Sequence, residues 1–327
     1  MLFFKKLTKI TGHILFVIIL IFFSTSNVTS IEKFNNANNV SDYFSGILLL
    51  SQNKYDESYK YLKKLEGLER SHENYSLRYL YTLINSGNFK KAFNYSKKLE
   101  KQKMDSFESH LVIGINYLKH SKPDLAYEYF LKAKQRKTNS ILDKFIINSL
   151  NIWSNLNQNS LEKSEFELGK LDKRFENLKK IQTVFLNCFF KTKHTQQLFD
   201  NLVLNEKIDF SRYNYFYANY LARVGNKQKA KEIIDVSLKK NPRNLLLNQY
   251  RIDLENSESK INFNCELKEH VIAELFYITA NVMSSQSIYT VSNFYLNLSK
   301  FLNEDFHAFD TLIAENFYNI GDYSKAK

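Results

Sequence analysis

A length of 327 residues allows two ordinary domains or one elongated array, but 8 Gly and 2 Pro leave too few turn-formers for a β-sandwich or barrel. Abundant Leu, Lys, Ile, Asn, Phe and Tyr point instead to helices joined by short polar turns. The formal charge of +12 favours anionic partners, yet the lysines are dispersed along the whole chain rather than gathered into a block, so the charge carries little weight.

The first thirty residues, MLFFKKLTKITGHILFVIILIFFSTSNVTS, read as a targeting segment. Lys5, Lys6 and Lys9 form a positive stretch, Ile14 to Phe23 an unbroken apolar run, and Val28 and Ser30 suit a cleavage site. The run falls short of the roughly 20 apolar residues that span a bilayer. A cleaved signal peptide and a retained signal anchor both stay open, and either one exports everything after residue 30. No Cys follows the run, which excludes a lipoprotein anchor. Without this segment, 43 basic and 34 acidic side chains leave +9. A short linker is expected over residues 31–39.

Three segments then align at a period of 34 residues: GILLLSQNKYDESYKYLKKL from Gly46, LYTLINSGNFKKAFNYSKKL from Leu80 and GINYLKHSKPDLAYEYFLKA from Gly114. Gly46 and Gly114 are small residues of a first helix. Tyr55, Phe89 and Pro123 open a second, and Ser58, Ala92 and Ala126 lie on its inner side. Small residues let two antiparallel helices approach, while large ones fill the groove made by the next pair. The unit resembles the tetratricopeptide repeat, whose pattern the third copy follows at Gly114, Tyr117, Ala126, Phe130 and Ala133. The resemblance implies an all-α fold, an α-solenoid of antiparallel helix pairs in about eight to nine units, some degenerate.

The small residue of the second helix continues at Ser164, Leu198, Ala230, Val291 and Ala326, the fourth and fifth units resting mostly on spacing. About six repeats plus one helix therefore occupy residues 40–254. The polar stretch at 255–266 reads as a linker or insertion, and further repeats fill 267–327. Together with the export signal, DYFSGILLLSQNKYDESYKYLKKL and AELFYITANVMSSQSIYTVSNFYLNLSKFL resemble exported bacterial tetratricopeptide proteins of alphaproteobacterial type. Export would permit a bridge between Cys188 and Cys265. Against it, LNCFF reads as a buried apolar run, and cysteines 77 residues apart in an extended array need not meet, so unbridged thiols are expected.

None of the motifs that assemble a catalytic site is present, and the histidines are scattered singly without metal-ligand spacing. No enzyme activity, metal or cofactor is expected. The resemblance implies an adaptor whose first helices line an inner, concave face. The matching outward positions are Tyr43, Ile47 and Leu50, then Leu77, Tyr81 and Ile84, then Leu111, Ile115 and Leu118. This apolar strip is either covered by the array's own packing or by another copy, or open as a groove for a helix or extended peptide of a protein partner. In the sixth repeat Arg212, Tyr215, Asn219 and Arg223 replace it, which makes that face the candidate for an anionic group.

The functional expectation is a periplasmic scaffold, held at the inner membrane if the anchor is retained. The alternative is a binder of anionic envelope lipid or polysaccharide. Export conflicts with a nucleic-acid partner. Finally, NIGDYSKAK at 319–327 repeats NSGNFKKAF at 85–93, with Gly321 as the turn and Ala326 as the small residue of a second helix. The last pair is thus expected to be incomplete, with Ile313 and Phe317 under-covered.

Overall fold

The computed structural model describes residues 36–136, 140–156, 159–204, 211–256 and 262–327. The apolar N-terminal run, the cleavage site and the expected linker up to residue 35 lie outside the described residues. The chain divides into two compact units, Met1–Tyr79 and Leu80–Lys327, with the division inside the third helix.

The first unit holds α1 (Ala37–Ser51), α2 (Tyr55–Leu62), two short 3-10 turns and the beginning of α3 (Glu73–Asn85). Helix α1 begins three residues before the expected position because the Asn36 side chain accepts the Asn39 amide at 2.8 Å and caps it. Gly46 has no room for a Cβ, which would press into the Leu62 side chain. Ser58 Oγ donates to the Gly46 carbonyl at 2.8 Å, locking the two helices at their closest approach.

The second unit continues from Leu80 with α4 (Phe89–Lys101), α5 (Phe107–Lys119), α6 (Pro123–Gln135), α7 (Ile141–Ser154), α8 (Leu161–Gly169), α9 (Glu176–Phe189), α10 (Thr195–Val203), α11 (Ser211–Arg223), α12 (Lys227–Lys240), α13 (Leu245–Glu255), α14 (Lys268–Ser285), α15 (Tyr289–Leu302) and α16 (Ala308–Asn319). No strand occurs among the described residues. The fold is all-α, an array of antiparallel helix pairs with a tetratricopeptide-like register. Seven pairs are present among the described residues, while α13 and α16 stand single.

One turn recurs throughout. After α1, α3, α5, α9, α11, α14 and α16 a residue takes positive φ: Asn53, Gly87, Ser121, Lys191, Gly225, Ser287 and Gly321. The next amide reaches back five residues to a helix carbonyl, as in Asn88 N to Leu83 O and Ile288 N to Met283 O. This is the Schellman closure, which satisfies carbonyls that the helix end would otherwise strand. Three of the seven positions are Gly; the Asn, Lys and two Ser accept the left-handed conformation because the hydrogen bond and short connection require it.

Five residues after this turn, Ser58, Ala92, Ala126 and Ala230 are fully buried. The eighth unit follows the same rule at Ser292, also fully buried, so the expected Val291 is off by one position. The fifth departs: Leu198 is half-buried and Thr195 takes the buried place. At the chain's end, Phe317 is covered at 8 % exposure, with Lys325 over its ring at 5.3 Å, and Ile313 is half-buried. The expected exposure of Phe317 is therefore corrected: residues 320–327 fold as a turn against it.

The expectation of unbridged cysteines is also overturned. Cys188 and Cys265 form a disulfide with Cα atoms 6.0 Å apart. Beyond α13 the chain runs back towards α9 and α11 because Phe263 buries itself among Phe185, Phe216 and Phe306, with ring centroids 5.4, 4.5 and 6.2 Å away. That aromatic cluster brings Cys265 to the end of α9. Nearest-neighbour contacts between successive pairs alone would not bring these two cysteines together.

Gly114 permits a close pairing of α5 with α6, since a Cβ there would clash with the Phe130 ring. Gly114→Ala is expected to destabilise the protein by about 2 kcal/mol through overpacking, despite the better helix propensity of Ala. A denaturant titration showing no loss would mean that the two helices can separate freely.

Candidate partner-binding cleft

In the first unit Leu50 is buried and Tyr43, Ile47 and Leu77 are half-buried, with Tyr43 against the His72 ring at 4.8 Å. The apolar side chains that α1 leaves to solvent are Val40, Phe44 and Leu48, 47 to 66 % exposed. A register shift of one residue rotates a helix position by about 100°, and the expected strip was set one residue away from the exposed one.

In the second unit the expected groove is already occupied by the chain itself. The α14–α15 hairpin packs against α5 and α7. Ile84, Leu111, Ile115 and Leu118 are buried, and the half-buried Tyr81 lies against Phe294 with ring centroids 4.9 Å apart. Asn85 donates to the Thr290 carbonyl at 3.0 Å, Phe89 stacks on Phe301 at 4.4 Å, and Lys119 pairs with Glu304 at 2.9 Å. A helix does lie in an apolar groove, but it is this chain's own α15. In the second unit these positions are therefore not an open partner surface.

The sixth-repeat cations meet the same fate. Arg212 Nε and Nη2 donate to both carboxylate oxygens of Glu274 at 2.8 and 2.7 Å, and the guanidinium lies over the Tyr277 ring at 3.7 Å. Glu274 is fully buried. Burial opposes the Arg212 charge, but Glu274 more than offsets it and holds the guanidinium protonated. Arg223 donates to Glu266 at 2.6 Å, where Lys191 also pairs at 2.8 Å. Asn219 and Tyr215 are buried. The anions these residues face belong to the protein, which corrects the expectation of an external one. Helix periodicity aligned the four side chains, but it could not reveal that Glu266 and Glu274, more than forty residues on, fold onto them.

A cleft of about 500 Å³ remains open between α13 and the start of α16. Tyr215, Tyr250, Tyr277 and Phe306 form its aromatic floor together with Arg212, while Leu245, Leu246 and Ala308 stand on its walls. Tyr215 sits 4.9 Å from the Tyr250 ring and 5.3 Å from Phe306, and burial pushes both tyrosine hydroxyls well above their ordinary pKa. The Tyr215 hydroxyl has no hydrogen-bond partner among the described residues. Arg243, Gln249, Asp253 and His307 mark the polar rim. Volume, aromatic floor and polar rim suit one large apolar side chain with a charged neighbour. Of this lining, sequence reading found only Arg212 and Tyr215; the α13 and α16 residues carry no motif.

Elsewhere, a charged hollow between α4, α5 and α6 is neutralised from within. Lys132 and Lys97 hold Glu100, while His110 and Arg136 hold Asp105. Among the described residues no cluster of three His, Cys, Asp or Glu side chains could hold a metal ion. Nor is any described helix long and apolar enough to cross a membrane.

No family model matches the chain, and no curated protein matches it. Solved structures that match include that of Naa15/Naa10 bound to HypK-THB, at 13 % identity and a TM-score of 0.27. The match covers 88 % of this chain and 62 % of that one, so the chain spans less than two thirds of its length. The helix-pair assignment stands on the chain's own turns and packing.

Glu274→Gln should cost about 3 kcal/mol, because it leaves a buried guanidinium without its counter-charge. Replacing both partners by Met should restore most of that stability. If calorimetry shows the single change to be harmless, the pair is not the tie it is taken to be.

The segment that carries Cys265 is held to α14 by the Asn264 amide donating to His270 Nδ1 at 3.0 Å. Burial lowers the His270 pKa to about 4; Asp305 opposes the shift, while Lys119 and Arg223 reinforce it. The stability due to a neutral His270 is therefore complete above the unfolded value of 6.5 and is lost as pH falls to about 4. The loss is about 3 kcal/mol. Equilibrium unfolding should show it, and His270→Gln should flatten the curve in that window.

Proposed function

We propose that the protein is a non-catalytic scaffold of the bacterial cell envelope that binds another protein. The observation that carries this reading is an array whose inner face is filled by its own hairpin while an aromatic-floored cleft beside α13 stays open. Repeated helix pairs form rigid, extended surfaces suited to holding a partner, and an aromatic-lined hollow is where interface energy concentrates. Export is supported by the charged and apolar pattern of the first thirty residues. The Cys188–Cys265 bridge agrees with it, since such bonds persist in oxidising compartments. The narrower kinship with exported alphaproteobacterial tetratricopeptide proteins rests on the sequence pattern.

Two measurements on the full-length chain in its native cells test this. Alkylation of thiols before lysis should leave both cysteines blocked as a disulfide. Native mass spectrometry of the chain purified from the envelope fraction should find a second protein in fixed stoichiometry. Reduced cysteines, or a chain isolated alone, would overturn the envelope and scaffold readings respectively.

A further inference from the structure

In a complete pair the first helix turns one side to its second helix. Helix α13 has no second helix among the described residues: beyond Glu255 the chain leads to the disulfide and then to α14. The register identifies the side that is left. Gly114 in α5 and Ala218 in α11 lie on the paired side; Phe130 crowds the former, and the latter is fully buried. Thirty-four residues after Ala218 the equivalent position is Ile252, which is 47 % exposed. Two turns earlier on the same side Leu245 is 70 % exposed, and Gln249 between them is exposed as well. This uncovered side is continuous with the cleft, which Leu245 and Gln249 also line.

We infer that this side of α13 receives an acidic amphipathic helix from a partner protein, which takes the place of the absent second helix and sets an apolar side chain into the cleft. The inference rests on the scaffold reading and names the class of partner. Ile252 and Leu245, seven residues apart, match the stripe of a helix packed alongside. Ile252 is larger than Gly46, Gly114 and Ala218, which hold this position in the first, third and sixth pairs, so the incoming helix sits farther out and leaves room for a bulky anchor over Tyr215, Tyr250, Tyr277 and Phe306.

Charge selects the occupant. From Lys227 to Asn256 the sequence carries seven basic side chains against four acidic; Lys229 and Lys231 pair with Asp200 and Glu255, while Lys239, Lys240 and Arg243 lie at the α12–α13 turn that leads into Leu245, with Arg243 on the cleft. A second copy of this chain would bring the same basic turn against itself, at an electrostatic cost. The first 35 residues carry four Lys and one Glu, so they meet the same repulsion. Residues 257–261 are too few to make the two turns needed. A helix with carboxylates flanking its apolar stripe satisfies both the shape and the charge.

The experiment places a photoreactive amino acid at Leu245 or Ile252 of the full-length protein in its native cells, with Phe166, 65 % exposed on α8, as the control site. Cross-linked peptides are then sequenced by mass spectrometry. The expected product at both α13 positions is one segment of another protein, net acidic and apolar at every third or fourth residue. Its yield should fall about tenfold when the other α13 position is changed, as in Leu245→Asp or Ile252→Asp, with the melting temperature unchanged because both side chains are exposed. A product from this chain's own sequence, a lipid adduct, or a basic or extended peptide would overturn the inference. So would no product at α13 while the envelope complex persists, which would leave the scaffold reading intact; loss of the complex itself would remove both.

Discussion

The guanidinium of Arg212 holds the second unit together at its most demanding point. It is laid on Tyr277 and grips both oxygens of a fully buried Glu274, which joins the sixth unit to the first helix of the eighth unit. Removing two charges from water costs several kcal/mol each, and only bidentate geometry with further polar partners makes the burial tolerable. Such a pair adds little net stability but penalises every arrangement that separates its members. It therefore acts chiefly on where α14 goes.

Several features depend on that placement. With α14 held to α11, α15 reaches α5 and the residues on either side of the Gly87 turn, where Phe294 lies on Tyr81 and Phe301 on Phe89. The connecting segment must then cross behind α11, where Phe263 enters an aromatic cluster and Cys265 meets Cys188. Glu266, one residue on, receives Arg223 and Lys191. An array described by nearest-neighbour contacts alone would contain none of these. The second unit is a helix-pair array cross-linked by polar, aromatic and covalent ties between units distant in sequence.

The same cross-linking relocates function. A groove lined by first helices is the natural place to seek a bound helix, and here it holds one that is covalently continuous with the array. Under the proposed scaffold reading, recognition of a separate molecule falls to surfaces outside the hairpin's reach, chiefly the side of α13 left without a second helix and the cleft beside it. The basic side chains of the sixth pair and the turn after it are divided between two roles. Arg212 and Arg223 are consumed internally, whereas Lys239, Lys240 and Arg243 lie at the turn beside the open helix.

Local chemistry makes the helix pairs legible in the sequence. A 34-residue period, small residues at Gly46, Ala92, Gly114 and Ala126, and apolar stripes between them suffice, because a helix pair is decided by neighbours within one unit. The turns are legible only where they carry Gly, since Ser121, Lys191 and Ser287 adopt the same positive φ under a hydrogen bond that composition does not reveal. The candidate site is half legible: helix geometry aligns Arg212, Tyr215, Asn219 and Arg223, but does not show what they face. By itself, then, the sequence determined the helices and their pairing. Only the tertiary structure decided that the inner face is filled, that Cys188 and Cys265 join, and that α13 keeps an open side. The first two are meetings of segments far apart in sequence, settled by burial and charge pairing that no local periodicity encodes, and the third follows from where those meetings send the chain after α13.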